Sequence, residues 1–307
     1  MYDIIIVGGG PAGLTAAIYA LRARKTVLMI EKLVVGGQVA LTTNIENYPG
    51  FEAISGMDLA SKMFMQAEKY GLETVFDDVV DYDITGEVKK IITPNKTYEG
   101  KTVILALGAS ARQLDIQSEK EFAGRGVSYC ATCDGNFYKD KIVTVVGGGN
   151  SSISAVLYLA NLAKKVYLVH RRETFRAEQV EVQKVMSLTT GDNPKVVFLP
   201  NSKIQDLEGN GKVESMIIEN LKTGETEEFA TDGIFVAIGR RPDTGFLNGT
   251  IELDDGGYIV TDGNMQTNIS GVYAAGDVRS GSLKQIVSAA SDGAIAATRI
   301  IEYLNKK

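Results

Sequence analysis

The two cysteines of this chain are Cys130 and Cys133, and Asp134 follows them directly. A C-x-x-C pair either forms a redox-active disulfide or supplies half of a zinc site. A zinc site needs about four Cys, His or carboxylate ligands, and this sequence offers one histidine and no second C-x-x-C. The pattern therefore favours a dithiol–disulfide couple and no metal. Asp134 has two possible roles that do not exclude each other. It could exchange a proton with a departing thiolate, or its side chain could cap a turn or a helix N-terminus.

The composition is that of an ordinary globular protein, with 307 residues, 44% hydrophobic and 23% charged. This length predicts about two domains. The formal net charge of −6 argues against a nucleic-acid partner, because such surfaces are usually basic. No apolar run approaches the roughly 18 residues of a membrane span, and no signal-peptide pattern is visible. We therefore expect no membrane partner and a cytoplasmic protein, in which an isolated C-x-x-C is catalytic or metal-binding rather than structural.

A glycine-rich turn near the start of the sequence predicts a dinucleotide site. An apolar run leads into G-G-G-P-A-G at residues 8–13, a helical pattern follows, and a second apolar run ends at Glu31. This is the βαβ fingerprint in its full context. The helix N-terminus faces the pyrophosphate, and the carboxylate accepts hydrogen bonds from ribose hydroxyls. The first site is therefore expected to bind FAD or NAD.

A second copy of the same pattern occurs at residues 147–152, G-G-G-N-S-S, and its second apolar run ends in H-R-R at residues 170–172. Placing the two turns on each other puts this triplet at the position of Glu31, with Arg176 one helical turn further. Guanidinium groups match a ribose 2′-phosphate, whereas a carboxylate suits a free hydroxyl. The second site is therefore expected to bind NADPH. His170 is interpreted as a strand-end residue that packs beside the adenine.

Three further apolar runs end in glycine, at residues 103–108, 234–239 and 271–276. The first two are expected to end beside their own nucleotides. The third ends in Gly276-Asp277 and precedes a helical pattern from Gln285 to Leu304. This arrangement would present Asp277 to a flavin ribityl chain and a helix N-terminus to the flavin ring. Two different dinucleotides in one chain indicate hydride transfer from NADPH to a flavin, and the C-x-x-C is the redox group that the sequence offers as acceptor.

Taken in order, these motifs resemble those of the low-molecular-weight bacterial thioredoxin reductases over the whole chain. Related disulfide reductases carry the cysteine pair in the FAD domain instead. The resemblance implies an α/β fold with two Rossmann-like, three-layer ββα dinucleotide-binding domains, in a homodimer. The discontinuous FAD domain is expected at residues 1–113 and 244–307, and the NADPH domain with the C-x-x-C at residues 114–243.

The resemblance also implies an activity, that of an NADPH-dependent thioredoxin-disulfide reductase. Electrons would pass from NADPH to FAD, then to the Cys130–Cys133 disulfide and then to thioredoxin. One domain would rotate against the other between half-reactions, with hinges near residues 114–115 and 243–245. Cys133 would receive electrons from the flavin, Cys130 would attack the thioredoxin disulfide, and Asp134 would act as the acid.

The resemblance assigns cofactor contacts residue by residue. For FAD they are Gly8, Gly10, Pro11, Ala12, Gly13, Glu31, Lys32, Gly37, Gln38, Asn47, Val80, Gly108, Asp277, Lys284, Gln285 and Ile286. For NADPH they are Gly149, Asn150, Ser151, His170, Arg171, Arg172, Arg176 and Ile238. The sequence departs from the usual pattern at Ser152, where Ala is usual, at Ser154, where an acid is common, and at Lys284, where Arg is usual. These departures remove no catalytic group, but they leave the strength of the preference for NADPH over NADH open.

Four other functions fit parts of the pattern. The chain could reduce a glutaredoxin-like or peroxidase-linked partner, or it could take electrons from ferredoxin, although the retained arginines argue against the latter. It could also be a ferredoxin–NADP reductase-like flavoprotein that makes no use of its cysteines. A non-catalytic, FAD-bound redox sensor is the alternative from a different functional class.

Overall fold

The apolar runs of the sequence become strands of parallel sheets in a computed structural model, which describes residues 1–42, 44–247 and 249–306. The chain divides into a first unit, Met1–Ser110 with Arg241–Lys307, and a second unit, Ala111–Arg240. The second unit is thus inserted into the first. Within the described ranges, no helix is both long and apolar enough to cross a membrane.

Strands and helices are numbered in chain order. The strands are β1 Tyr2–Val7, β2 Val27–Glu31, β3 Glu73–Phe76, β4 Asp81–Asp83, β5 Lys89–Ile92, β6 Thr97–Leu105, β7 Ala109–Ala111, β8 Val127–Ser128, β9 Ile142–Val146, β10 Lys165–Val169, β11 Val196–Leu199, β12 Ser202–Glu208, β13 Ser215–Asn220, β14 Thr226–Ala230, β15 Gly233–Val236, β16 Arg240–Pro242 and β17 Val272–Ala274. The helices are α1 Pro11–Arg22, α2 Gly56–Glu68, α3 Gln117–Glu121, α4 Ala131–Asp134, α5 Asn150–Ala160, α6 Gln179–Ser187 and α7 Ile286–Asn305. Short 3-10 turns occur at Gly37–Leu41, Gly135–Tyr138 and Gly276–Val278.

The first unit is built on a sheet of order β3-β2-β1-β6-β5-β4, in which β17 also pairs with β6. Strands β1, β2, β3, β6 and β17 are parallel, and β4 and β5 add an antiparallel edge. Along β1, Ile4 and Ile6 enter one core cluster, whereas Ile5 and Val7 enter another. Both faces of the sheet are therefore buried, which explains why the strand reads as an unbroken apolar run.

The second unit contains a fully parallel sheet of order β11-β10-β9-β15-β8 and an antiparallel sheet of order β12-β13-β14. Helix α5 packs on one face of the parallel sheet, through the cluster that contains Val145 and Val156. The antiparallel sheet packs on the other face, through Val146 and Met216. The predicted α/β fold of Rossmann-like units with a discontinuous first unit is confirmed, and in the second unit helix, parallel sheet and small sheet form the three layers.

Helices α1 and α7 approach each other closely in the first unit, because small residues line their contact. A Cβ at Gly293 of α7 would lie 2.1 Å from the carbonyl oxygen of Ala12, and a Cβ at Gly276 would lie 2.9 Å from the Ala12 Cβ. This contact brings the last part of the chain against the first glycine turn. The two distant segments that the sequence assigned to the flavin therefore meet at one place.

Replacing Gly293 with valine should lower the free energy of unfolding by about 2–3 kcal/mol, because the new side chain meets backbone that cannot move aside. The matched control is Ser291→Val on the exposed side of the same helix, for which little change is expected. Urea unfolding followed by circular dichroism measures both. Equal stability of the two variants would contradict the close contact between α1 and α7.

Candidate functional site

Cys130 and Cys133 are bonded to each other in the second unit, with an S–S distance of 2.06 Å. Cys130 is the N-cap residue of α4, and Cys133 lies within that single helical turn. Both residues are half-buried. Among the described residues, no group of three or more His, Cys, Asp and Glu side chains is arranged to hold a metal ion. The pair therefore has the covalent form that a redox couple requires.

Helix α4 is held against α5 by the glycine that follows it. A Cβ at Gly135 would lie 2.7 Å from the Tyr158 ring and 3.1 Å from the Leu159 side chain, so a larger residue here would displace the Tyr158 ring. Helix α5 begins at Asn150, at the second glycine turn. The disulfide and this turn are thus attached to one helix of one unit.

A single hydroxyl group connects Asp134 to the cysteine that begins the turn. Ser128 Oγ donates to Asp134 Oδ2 at 2.6 Å and accepts from the backbone N–H of Cys130 at 3.1 Å. Ser128 is 5% exposed, so water competes little for these bonds. Sequence reasoning missed this residue, and its only signal was a hydroxyl two positions before the first cysteine.

Burial raises the pKa of Asp134, and the hydrogen bond from Ser128 lowers it by a smaller amount. A carboxyl group with a raised pKa keeps its proton to higher pH and is a better proton donor near neutrality. The capping alternative is wrong, because Cys130 is the N-cap of α4 and the Asp134 side chain makes no cap hydrogen bond to the 3-10 turn that follows. The side chain is directed to Ser128 instead.

The first glycine turn has the form of a phosphate cradle. Helix α1 begins at Pro11 directly after it, so the free N–H groups of the helix face the turn. A Cβ at Gly10 would meet no atom within 4 Å, which leaves open space in front of the backbone. Glu31 accepts from the N–H of Gly9 at 2.7 Å and from the N–H of Leu33 at 2.9 Å. The predicted ribose acceptor is therefore fixed at the rim of the turn, and the residues present fit a dinucleotide.

A cavity of about 460 Å³ opens beside this turn, a volume in the range of small-ligand sites. It brings together four of the predicted flavin contacts, Gly8, Glu31, Lys32 and Val80. The other lining residues were not predicted as contacts: Val7, Ile30, Asp77, Asp78, Val79, Leu107, Asp243, Gly245 and Phe246. Lys32 Nζ lies 2.7 Å from Asp78 Oδ2 at its edge.

The remaining predicted flavin residues of the first unit lie in several of its elements, and one of them, Gly37, lies against the same turn. A Cβ at Gly37 would lie 3.6 Å from the Gly10 Cα. Asn47 Nδ2 donates to Gln285 Oε1 at 3.2 Å, and Gln285 is the N-cap residue of α7. The others occupy element ends: Ala12 and Gly13 in the first turn of α1, Gln38 in the following 3-10 turn, Gly108 after β6 and Ile286 at the start of α7.

Lys284, which stands where the resemblance expects Arg, is directed by an aromatic ring. Its Nζ lies 3.9 Å from the centroid of the Tyr258 ring and donates to the Asp277 carbonyl oxygen at 3.5 Å. A cation at this distance from a ring face is attracted by the ring quadrupole. Tyr258 is a neighbour that sequence reasoning missed.

A largely buried ion pair holds the turn that carries Asp277 in place. Arg279 Nη1 lies 2.7 Å from Asp292 Oδ2, and the same oxygen accepts from the N–H of Gly276 at 3.0 Å. Since Asp292 belongs to α7, the turn and the helix are fixed together. This support was also not predicted, because its partners are distant in sequence.

The second glycine turn repeats the cradle in the second unit. A Cβ at Gly149 would meet nothing within 4 Å, and α5 begins at the next residue. The segment after β10 is bonded across this turn, because Arg176 N–H donates to the Gly148 carbonyl at 2.8 Å and Glu178 N–H donates to Asn150 Oδ1 at 2.9 Å. The predicted arginine segment therefore lies beside the predicted phosphate turn.

The serines of this second copy are accommodated. The Ser152 hydroxyl, which needed a partner at this buried position, donates to the Gly149 carbonyl oxygen at 2.7 Å. Ser151 and Ser154 are exposed on α5. Ile238 follows β15 and packs against the apolar cluster below it.

His170 directly follows the last residue of β10 and is 8% exposed. Its ring stacks on Phe175 with centroids 5.6 Å apart and lies so close to Gly148 that a Cβ there would be 2.3 Å from it. Burial lowers the pKa of His170, and the neighbouring arginine charges lower it further, although a hydrogen bond with the Thr174 backbone raises it. The imidazole is therefore neutral at neutral pH.

The three predicted phosphate ligands, Arg171, Arg172 and Arg176, are all exposed. Their guanidinium groups form no salt bridge with any residue in the described ranges. All three positive charges act on the same His170 imidazole, and guanidinium groups match the oxygens of a phosphate. The cluster therefore fits an anionic group of a ligand bound at the second turn.

Comparison with known proteins agrees with this arrangement. The family model described as pyridine nucleotide-disulphide oxidoreductase matches residues 2–293. The chain is 46% identical over 311 residues to a thioredoxin reductase of Peptoclostridium acidaminophilum, covering 99% of this chain and 97% of that protein. It is 44% identical over 307 residues to that of Bacillus subtilis, covering 100% and 96%. The crystal structure of thioredoxin reductase from Streptococcus pyogenes is 42% identical, with a TM-score of 0.93 and coverage of 100% and 99%.

The chain belongs to the pyridine nucleotide-disulphide oxidoreductases, and within them to the low-molecular-weight thioredoxin reductase family. Membership of this family implies a flavin and a nicotinamide nucleotide. The chain is therefore an oxidoreductase with a disulfide between its two cysteines.

Replacing Asp134 with asparagine should slow the opening of the disulfide by an added small dithiol about 10²-fold at low pH, because general acids contribute rate factors of this order. The protonated carboxyl is the donor, so the advantage of the native protein should decrease as pH rises through the pKa of Asp134. The measurement is the ratio of the two rates across the pH range.

Two further variants make this test specific. Ser128→Ala removes the hydrogen bond that lowers the pKa of Asp134. The rate of disulfide opening in this variant should therefore begin to fall at a higher pH than in the native protein. Asp140→Asn removes an exposed carboxylate of the same unit and should change nothing. A rate ratio for Asp134→Asn that is independent of pH would contradict proton donation.

Proposed function

We propose that this protein is an NADPH-dependent thioredoxin-disulfide reductase that uses FAD. The observation that carries the proposal is the Cys130–Cys133 disulfide, which is backed by Asp134 and lies in the same unit as the second glycine turn. The relatives that share 44–46% of its sequence over nearly their whole length are thioredoxin reductases. We therefore take thioredoxin as the disulfide partner.

The choice of dinucleotides follows from the charges beside the two turns. Glu31 offers carboxylate oxygens to ribose hydroxyls in the first unit, which suits FAD. Arg171, Arg172 and Arg176 offer guanidinium groups in the second unit, which suits the 2′-phosphate of NADPH. When bound, the nicotinamide supplies two electrons as a hydride and the flavin relays them.

The side chains of the second unit manage the protons and the exchange. Opening the Cys130–Cys133 disulfide consumes two electrons and two protons, and Asp134 donates a proton to the thiolate that leaves. Cys130 then attacks a sulfur of the thioredoxin disulfide and forms a mixed disulfide. Cys133 then attacks the Cys130 sulfur of this mixed disulfide, so thioredoxin leaves as a dithiol and the Cys130–Cys133 disulfide is restored.

Several predictions of the sequence stay part of the proposal. They are the residue-by-residue FAD and NADPH contacts, the FAD domain at residues 1–113 and 244–307, the NADPH domain at residues 114–243, domain rotation between half-reactions, a homodimer and a cytoplasmic location. The geometry of the glycine turns supports the contacts nearest to them.

Replacing Cys133 with serine should trap the exchange. With Cys130 left as the single thiol, the mixed disulfide with thioredoxin forms but is not resolved, so a covalent adduct should accumulate on a non-reducing gel. Cys130→Ser is the matched variant, and it should give no adduct while its flavin is still reduced by NADPH. Adduct formation by Cys130→Ser alone would reverse the assigned roles, and turnover of thioredoxin by either variant would end the dithiol mechanism.

His170 provides a probe of the nicotinamide site, because it is the only histidine of the chain and its proton resonance needs no assignment. NADP⁺ should raise the pKa of His170 relative to NAD⁺, since the 2′-phosphate compensates the arginine charges that lower it. A proton NMR titration of the imidazole with each nucleotide gives the comparison. The same pKa with both nucleotides would place the phosphate elsewhere.

Activity with reduced ferredoxin but not with NADPH would favour the rival electron donor.

A further inference from the structure

The carboxyl group of Glu119 is buried between the start of the second unit and its disulfide. The residue belongs to α3 and is 1% exposed. Its Oε2 accepts from the backbone N–H of Leu114 at 2.7 Å, and its Oε1 accepts from the Tyr129 hydroxyl at 3.0 Å. One side chain thus connects the first residues of the unit to the residue directly before Cys130.

These two bonds meet the requirement of a buried acid. A carboxyl group taken out of water is costly unless its oxygens are hydrogen-bonded, and here each oxygen of Glu119 has a donor. Burial and the bond to Glu119 raise the pKa of Tyr129 well above its ordinary value. The Tyr129 hydroxyl therefore keeps its proton and remains a donor throughout the neutral range.

The segment that leads into the redox turn is held from two sides. Ser128 is the last residue of β8, and Tyr129 and Cys130 follow it directly. The Ser128 hydroxyl bonds the Cys130 N–H and Asp134, whereas the neighbouring Tyr129 hydroxyl bonds Glu119. The backbone that carries Cys130 is therefore fixed by two hydroxyl groups, and the mechanism described above uses only the first.

We propose that Glu119 and Tyr129 are positioning residues for Cys130: they hold the cysteine in the place where, after reduction, its sulfur still faces Cys133. This inference deepens the proposed function and relies on it only for the role of the disulfide. Fixing one thiol near the other raises their effective concentration. The bond between Glu119 and Tyr129 should therefore favour the disulfide over the dithiol.

Tyr129→Phe tests this, because it keeps the ring and removes the hydroxyl. The holoenzyme of each variant is equilibrated with mixtures of reduced and oxidised glutathione at one pH, and free thiols are counted after alkylation. We expect the equilibrium of Tyr129→Phe to move about three- to tenfold towards the dithiol, the effect of losing one hydrogen bond of ordinary strength. A tenfold change corresponds to about 30 mV for this two-electron couple. A shift of less than twofold would overturn the proposal.

The matched control is Tyr167→Phe, which removes a hydroxyl from the same unit at a ring that packs on Phe229. It should leave the equilibrium unchanged, and an equal shift in both variants would contradict a specific role for Tyr129. Glu119→Gln tests the other partner, and it replaces Tyr129→Phe as the main variant if the latter does not fold. Combined with Tyr129→Phe, it should add less than its separate effect, because the two residues act through one bond. Full additivity would overturn the proposal.

The glutathione equilibrium involves neither thioredoxin nor NADPH. A shifted equilibrium without any thioredoxin turnover would therefore contradict the proposed function and leave the positioning role intact. Normal thioredoxin turnover with an unshifted glutathione equilibrium would support the proposed function and contradict the positioning role.

Discussion

At each glycine turn the backbone lies against the end of the neighbouring strand in the sheet, β6 in the first unit and β15 in the second, at a distance that no side chain permits. Gly8 and Gly147 both have positive φ angles, 105° and 143°. A Cβ at Gly8 would lie 2.3 Å from the Ala106 carbonyl oxygen, and one at Gly147 would lie 2.4 Å from the Ala237 carbonyl oxygen. The same constraint is thus met twice, once in each unit. The start of α1, the start of α5 and the direction of both sets of free N–H groups depend on it.

This constraint explains why so much was predictable. A tight turn between a buried strand and a helix is specified by neighbouring residues, so the sequence predicted both turns and the strands and helices around them. The parallel register then carries the prediction further. Because β1 pairs with β2 and β9 with β10 in the same way, the ends of β2 and β10 lie beside their turns. Glu31 and His170 therefore contact Gly9 and Gly148 respectively, as superposing the two fingerprints implied.

The contacts that the sequence did not predict share a different property. Ser128 and Asp134 are six residues apart, Glu119 and Tyr129 are ten apart, and both pairs are joined across loops and short helices. No periodic pattern fixes which way a side chain points at such places, so the residue types alone gave no partner. The contact of Lys284 with Tyr258 is of the same kind. Sequence resemblance placed the lysine near the flavin, but the ring that orients it became visible only in the folded chain.

Helix α5 contacts both candidate functional features of the second unit, the second glycine turn and the turn that carries the disulfide. Its N-terminus faces the second glycine turn at Asn150, and its surface at Tyr158 supports Gly135 behind the disulfide. At a rise of 1.5 Å per residue, these two points are about 12 Å apart along the helix. A helix of this length is stiff on the scale of a hydrogen bond, and its buried face is packed into the core of the unit. The second glycine turn and the cysteine pair are therefore fixed to one packed helix, and the distance between them is set within the second unit.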